Sequence, residues 1–137
     1  ESSSLTPVMK AQLFRLSAVL VVPTASYPAP KESIKTKGTK GATLIYKIYN
    51  EAEKNDPNVV KVILNKRRQA IYFSRSLIPF PRSLQSSNCS VWKHLGVYLF
   101  KKDFLLKFYQ WPQSQLEQTE NLEQLRILEN GETLLCV

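Results

Sequence analysis

The sequence predicts an α/β fold in which a mixed sheet is flanked by helices, and two kinds of pattern support this prediction. Short runs rich in β-branched and aromatic residues lie between Gly, Asn or basic turns, which is typical of strands. Other stretches repeat apolar residues at helical spacing. The predicted strands cover residues 42–48, 59–64, 69–74, 93–100 and 133–137, and the predicted helices cover 7–20, 102–110 and 114–129.

The N-terminal helix is predicted because Thr6 followed by Pro7 is a favourable N-cap and N1 pair. Apolar residues then recur at roughly helical spacing up to Leu20. The next segment, 21–41, contains prolines, lysines and glycines without apolar periodicity. It predicts a long loop or an insertion, which is unusual inside a compact domain.

The remaining elements follow from local signals. The runs 59–64 and 69–74 predict a hairpin around a basic turn that lacks the usual glycine. Gly96 lies inside the strand 93–100, which indicates close approach of a ligand or another backbone. The last helix begins with a capping-box pattern, Ser114 to Glu117.

The net charge of +8 is unevenly distributed. Residues 1–108 carry 18 Lys and Arg against 6 Asp and Glu, whereas residues 109–137 carry 1 against 5. A basic nucleic-acid binder is therefore one open alternative, but no RNP motif, zinc-finger spacing or basic heptad accompanies the charge, and nucleic acid is not the expected partner. Attraction of anionic small molecules such as nucleotides is an equally physical use of the charge.

Cysteine and histidine usage argues against a metal centre. Cys89 and Cys136 match no metal-ligand spacing, and the chain has a single histidine. We interpret the cysteines as two unpaired thiols in a reducing cytosol. No apolar run approaches the ~20 residues that cross a bilayer, and no signal peptide is indicated. The expected location is therefore the cytoplasm, without a membrane partner.

Three residues of the strand 93–100 form a candidate site. His94, Gly96 and Tyr98 alternate and therefore share one face, where the glycine leaves room between two polar-tipped rings. A lone histidine in a strand is more often structural than functional, but this neighbourhood would suit a hydroxylated ligand.

Arg75 ends the strand 69–74, where its guanidinium could grip a carboxylate or phosphate or could form an ion pair that positions the next loop. Both interpretations stay open. Glu123 and Gln124 belong to the predicted last helix, and they are either solvated or placed about 100° apart on the rim of a groove. Arg126 is expected to hold this helix to acidic or carbonyl groups.

Three motifs narrow the function. They are, in this order along the chain, YFSRSLIPFPR, KHLGVY and LEQLR. With these motifs the chain resembles the CMP-Kdo synthetases, which are cytidylyltransferases that activate 3-deoxy-manno-octulosonate (Kdo) for lipopolysaccharide synthesis. The resemblance covers 42–137 well. It implies a nucleotide-diphospho-sugar-transferase-like sheet, CTP and Kdo as substrates, and a homodimer. It also implies that Kdo is contacted by Arg75, His94, Tyr98, Glu123 and Gln124.

Motifs of the family's nucleotide-binding half are absent from the sequence. Neither a PARxxSxRLPGKPL-type loop nor the GDEP and VDTPEDL motifs, whose aspartates hold magnesium in the full-length family, occurs here. The resemblance thus implies a helix over 1–20, a loop or insertion over 21–41, and a sugar-binding and dimerisation part over 42–137. We expect the chain alone to be inactive. A non-catalytic sugar-acid-binding or dimerisation module and a CMP-sialate synthetase fragment are the alternatives.

Overall fold

The computed structural model describes the backbone of residues 18–22 and residues 39–83, 85 and 88–137. Four helices and six strands follow one another in this part of the chain. The strands are β1 (Ala18–Val22), β2 (Gly41–Lys47), β3 (Lys61–Leu64), β4 (Ala70–Ser74), β5 (Trp92–Lys101) and β6 (Leu135–Cys136). The helices are α1 (Glu51–Asn55), α2 (Lys102–Gln110), α3 (Gln115–Glu120) and α4 (Leu125–Glu129).

The strands form one mixed sheet in which β5 is central. The order is β4-β3-β5-β2-β6, and β1 also pairs with β5. The pairs of β5 with β2 and β3 are antiparallel, whereas β1 with β5 and β6 with β2 are parallel. Backbone bonds of 2.9 Å from Ala70 N to the Leu134 carbonyl and 2.8 Å from Cys136 N to the Arg68 carbonyl tie the C-terminal segment back to the β3–β4 hairpin. The two ends of the strand order are therefore joined, which protects edge groups that would otherwise need partners.

The predicted hairpin is present as β3 and β4, which pair antiparallel. The turn between them needs no glycine because Arg68 adopts the left-handed conformation, with φ 59°. The Asn65 side-chain oxygen accepts from the backbone N–H groups of Arg67 and Gln69, at 2.9 Å each. Such side-chain bonds to the backbone are the usual way in which Asn stabilises a turn.

Two predicted helices differ in the structure. Residues 18–20, the end of the helix predicted over 7–20, lie in β1, because parallel pairing with β5 takes precedence over local periodicity. Residues 7–17 are outside the described residues, as is most of the loop predicted over 21–41. The helix predicted over 114–129 is divided into α3 and α4, because Asn121 adopts a left-handed conformation with φ 55°. The predicted division of the chain into the regions 1–20, 21–41 and 42–137 stays a prediction.

The core lies between the sheet and the helices and is rich in aromatic side chains. Tyr98, Phe100 and Phe108 form a stacked series with ring centroids 5.4 and 6.4 Å apart. Phe73 from β4 is fully buried beside it. The polar Glu117 and Arg126 are also buried, and the Arg126 Nε donates to Glu117 Oε2 at 2.7 Å. Arg126 thus binds an acidic group, as expected, but this group lies in α3 and not outside the helix predicted over 114–129.

Candidate functional site

A cavity of about 710 Å³ opens between β5 and the turn that joins α3 to α4. Strand β5 supplies one wall, and residues 121–124 supply the opposite rim. The residues predicted as the site, which are distributed over 50 positions of the sequence, all line this one cavity. They are Arg75, His94, Tyr98, Glu123 and Gln124.

His94 is held from two sides. Its Nε2 lies 2.6 Å from the Thr43 hydroxyl on β2, and its Nδ1 lies 3.3 Å from the Gln124 amide nitrogen. Edge contacts with Phe73 and Tyr98, at ring-centroid distances of 4.9 and 5.2 Å, fix the plane of the imidazole. Burial lowers the pKa of His94 to about 4. The ring is therefore a neutral hydrogen-bonding group at physiological pH.

The strand around His94 is bulged, which explains the glycine. On β2, Thr43 faces Tyr98 and Ile45 faces His94, so that three residues of β5 oppose a single residue of β2. Gly96 lies within this bulge with φ 68°, a conformation that glycine adopts without steric cost. Gly96 also lines the cavity. A bulge re-aims side chains, and here His94 and Tyr98 still come together.

Tyr98 is 4 % exposed and lines the cavity. Burial raises the pKa of its hydroxyl, and the nearby Glu123 carboxylate raises it further. The hydroxyl therefore stays protonated and can donate as well as accept a hydrogen bond.

Arg75 is used mainly to position the rim of the cavity. Its guanidinium donates to the carbonyls of Glu120 at 2.8 Å, Pro57 at 3.0 Å and Asn121 at 3.3 Å. In return, the Glu120 carboxylate accepts from the Arg75 backbone N–H at 3.0 Å and from the Ser74 hydroxyl at 2.7 Å. The contacts favour the positioning interpretation of Arg75 over direct gripping of a ligand, although the side chain also lines the cavity.

Glu120 is a hydrogen-bonding centre that sequence reasoning missed. Burial acts to raise its pKa, but hydrogen bonds from the Arg75 backbone, the Ser74 hydroxyl and the Tyr72 hydroxyl outweigh burial and hold the pKa below its ordinary value. The ionised carboxylate thereby connects the end of β4 to the end of α3. No local motif marks such a residue, because its partners come from another element.

Glu123 and Gln124 do not lie on a helix face as predicted. They occupy the turn between α3 and α4, where the left-handed Asn121 redirects the chain toward β5. The turn brings Gln124, which is 5 % exposed, against His94. Both side chains line the cavity from this turn, and their role in binding stays a prediction.

Further polar residues line the cavity that sequence reasoning did not select. Lys93 is the second residue of β5, and its Nζ lies 2.8 Å from a Glu53 carboxylate oxygen. Asn58 and Asn121 contribute amides from two different loops. Lys93 could have been found as the residue preceding the histidine in KHLGVY, whereas the asparagines carry no signal beyond a turn preference.

The described part of the chain does not supply a metal centre. Within it, no three His, Cys, Asp or Glu side chains come together as a metal site requires. Cys89 is exposed and Cys136 is buried, and both are free thiols, as expected. Among the described helices, none has the length and apolar character needed to cross a membrane.

The neutral state of His94 predicts a specific pH dependence of stability. The unfolded imidazole takes up a proton near the ordinary histidine pKa of 6.5, whereas the folded ring resists protonation until about pH 4. The depressed pKa means that stability is complete above pH 6.5 and falls toward pH 4, by at most about 1.4 kcal/mol per pH unit. We expect urea unfolding of the His94→Gln variant to lack this slope. Parallel pH profiles for the two proteins would contradict the assignment.

Comparison with known proteins agrees with this geometry. The chain is 47% identical over 97 residues to a 3-deoxy-manno-octulosonate cytidylyltransferase of Fusobacterium nucleatum, which covers 71% of this chain and 39% of that protein. A namesake from Flavobacterium johnsoniae is 46% identical over 96 residues, covering 70% of this chain and 39% of the relative. The chain thus spans about two fifths of the length of the curated relatives it matches.

A solved structure shows the same relationship. The structure of CMP:2-keto-3-deoxy-manno-octonic acid synthetase complexed with CTP matches with a TM-score of 0.66 and 41% identity. The match covers 72% of this chain and 39% of that one. The cytidylyltransferase family model matches residues 29–134, which is most of the chain. From the sheet, the cavity and these matches together, we conclude that the chain belongs to the cytidylyltransferase family.

Proposed function

We propose that the cavity binds the sugar acid Kdo and that the chain is the sugar-side part of an enzyme that transfers CMP from CTP to Kdo. The products would be CMP-Kdo and pyrophosphate, for lipopolysaccharide synthesis in the cytoplasm. The observation that supports this most is the convergence on one cavity of residues from β4, β5 and the α3–α4 turn. Curated relatives and the solved neighbour named for this activity support it as well.

The chemistry of the cavity suits a hydroxylated acid. The His94 ring and the Gln124 amide, whose nitrogens lie 3.3 Å apart, are both hydrogen-bonding groups of the kind that bind sugar hydroxyls. Lys93 and Arg75 line the same cavity with positive charge, which attracts a carboxylate. The cavity thus combines uncharged hydrogen-bonding groups with positive charge, as a ligand with hydroxyls and one acid group would require.

Ligand titration tests the sugar site without requiring turnover. Because the chain has one histidine, its imidazole NMR signal reports directly on the cavity. We expect Kdo to shift this signal saturably, and Gln124→Ala to weaken binding by about tenfold, the equivalent of one hydrogen bond. The control is Gln118→Ala, since the Gln118 amide contacts only a local backbone carbonyl at 3.5 Å. No saturable shift with Kdo would refute the proposal, and a preference for sialic acid would favour a CMP-sialate synthetase instead.

Activity of the chain alone is expected to be absent. The family's nucleotide loop and magnesium-binding aspartates are missing from the sequence, and among the described residues no three His, Cys, Asp or Glu side chains come together. A pyrophosphate-release assay with CTP, Kdo and magnesium should show no turnover, and turnover typical of the family would contradict this prediction.

We further propose that two copies pair through the outer face of the sheet. Leu44 and Tyr46 on β2 and Val97 on β5 are each more than one third exposed there. Exposed apolar faces of this kind mark interaction sites. We expect sedimentation to show a dimer that Tyr46→Lys weakens, whereas a monomer at all concentrations would refute the pairing.

A further inference from the structure

The hydroxyl of Thr43 connects the bulge of β5 to the imidazole of His94. Thr43 is 1 % exposed and lies on β2, facing Tyr98 across the sheet. Its Oγ1 lies 2.7 Å from the Val97 carbonyl oxygen and 2.6 Å from His94 Nε2. A β-branched residue in a strand predicts no more than good packing, so that sequence patterns carry no signal for this role.

The roles of donor and acceptor follow from counting hydrogens. A hydroxyl has one hydrogen and two lone pairs, whereas a carbonyl oxygen can only accept. The Thr43 hydroxyl therefore donates its hydrogen to Val97 and accepts at the other contact. The donor at that contact is Nε2–H, because a hydroxyl that has already given its hydrogen cannot donate again.

We propose that Thr43 is a positioning residue that holds His94 as the neutral tautomer protonated on Nε2, so that Nδ1 faces the cavity as an acceptor for a ligand hydroxyl. The first part rests on the contacts of Thr43 alone. The ligand part deepens the proposed function and rests on it. The Gln124 amide fits this tautomer, because its N–H group can donate to an unprotonated Nδ1 at 3.3 Å. Since Nδ1 has one lone pair, a ligand hydroxyl would take the place of this amide N–H at Nδ1, and the amide would then bond to the ligand.

The tautomer has a consequence for specificity. An unprotonated nitrogen repels carboxylate and phosphate oxygens, and it accepts from a hydroxyl. His94 would therefore select the orientation in which a sugar hydroxyl, and not the acid group, points toward β5. The acid group would be left to the positively charged side chains that also line the cavity, Lys93 and Arg75.

Long-range ¹⁵N–¹H NMR of the full chain at neutral pH reads the tautomer directly, since a single histidine contributes signals. We expect the wild-type ring to be protonated on Nε2. Thr43→Ser keeps the hydroxyl and should keep this pattern, whereas Thr43→Val removes the acceptor and should shift protonation toward Nδ1. Thr119→Val is the matched control, because the exposed Thr119 hydroxyl bonds only to the Gln115 carbonyl, at 2.9 Å.

Two results would overturn the proposal: a wild-type ring protonated on Nδ1, or a Thr43→Val ring with the wild-type pattern. If Thr43→Val fails to fold, the wild-type spectrum still tests which nitrogen is protonated. The Gln124→Ala variant, which should keep the proton on Nε2, then provides the second test. Kdo titration then tests the ligand part, where Thr43→Val should raise the Kd about tenfold and Thr43→Ser should not. A ring protonated on Nε2 in a protein that does not bind Kdo would refute the proposed function but would still support the role of Thr43.

Discussion

Replacing Arg126 by methionine is expected to lower the free energy of unfolding by about 3–5 kcal/mol, because the Glu117 carboxylate would be left buried without its charged partner. Both residues are nearly inaccessible, at 5 % and 3 % exposed. The Arg126 guanidinium also lies 4.6 Å from the centre of the Phe108 ring, so that packing is lost together with charge. The same carboxylate accepts from the Ser114 backbone at 3.0 Å, which caps α3.

Urea unfolding measures this effect, and the chain contains a matched control. Lys54→Met removes a lysine from an exposed pair with Glu51 at 2.7 Å, and such pairs contribute about 0–1 kcal/mol. The double variant Glu117→Gln with Arg126→Met should recover part of the loss, since it removes the unpaired charge. A loss for Arg126→Met no larger than that for Lys54→Met would show that the buried pair is not ionised.

Replacing Phe73 by alanine is the second large effect, with an expected loss of about 3–5 kcal/mol, because the side chain is removed from a packed core that can collapse only partly. Phe73 is 0 % exposed and contacts the His94 ring edge at a centroid distance of 4.9 Å. The cavity left by the substitution would also free the imidazole to move. We therefore expect the imidazole NMR signal of His94 to shift, in addition to the loss of stability.

The control for burial is Phe80→Ala, which makes the same chemical change at a residue that is 81 % exposed. Surface substitutions of this kind usually change stability by less than about 0.5 kcal/mol. Chemical denaturation of both variants under one set of conditions gives the comparison. Equal losses for the two would mean that Phe73 is not part of the core.

Much of the sheet could be predicted because strand signals are local. The β3–β4 hairpin follows from two β-rich runs on either side of a four-residue basic turn, and pairing of neighbouring runs needs no distant information. The candidate residues could be selected because the sequence motifs around Arg75, His94 and Glu123 are specific to one family. Their common cavity agrees with the selection.

The break between α3 and α4 could not be predicted from the same signals. Apolar periodicity continues through 114–129 and favours one helix. The chain turns at Asn121 because Arg75, 45 positions away from Glu120, takes the last carbonyls of α3 as its acceptors. An interaction over that distance exists only once the sheet is assembled. The predicted placement of Glu123 and Gln124 on a helix was wrong for this reason.

The sequence by itself determined where β2 to β6 lie, which helix patterns face a core, and which motifs carry the family resemblance, but it did not reveal β1. Only the tertiary structure decided how those residues are joined. His94 meets Thr43 across 51 positions and Gln124 across 30. Local patterns report which side of an element is buried, since burial leaves a periodic trace. Hydrogen-bond partners depend instead on the register between strands and on the bulge at Gly96, and neither leaves such a trace.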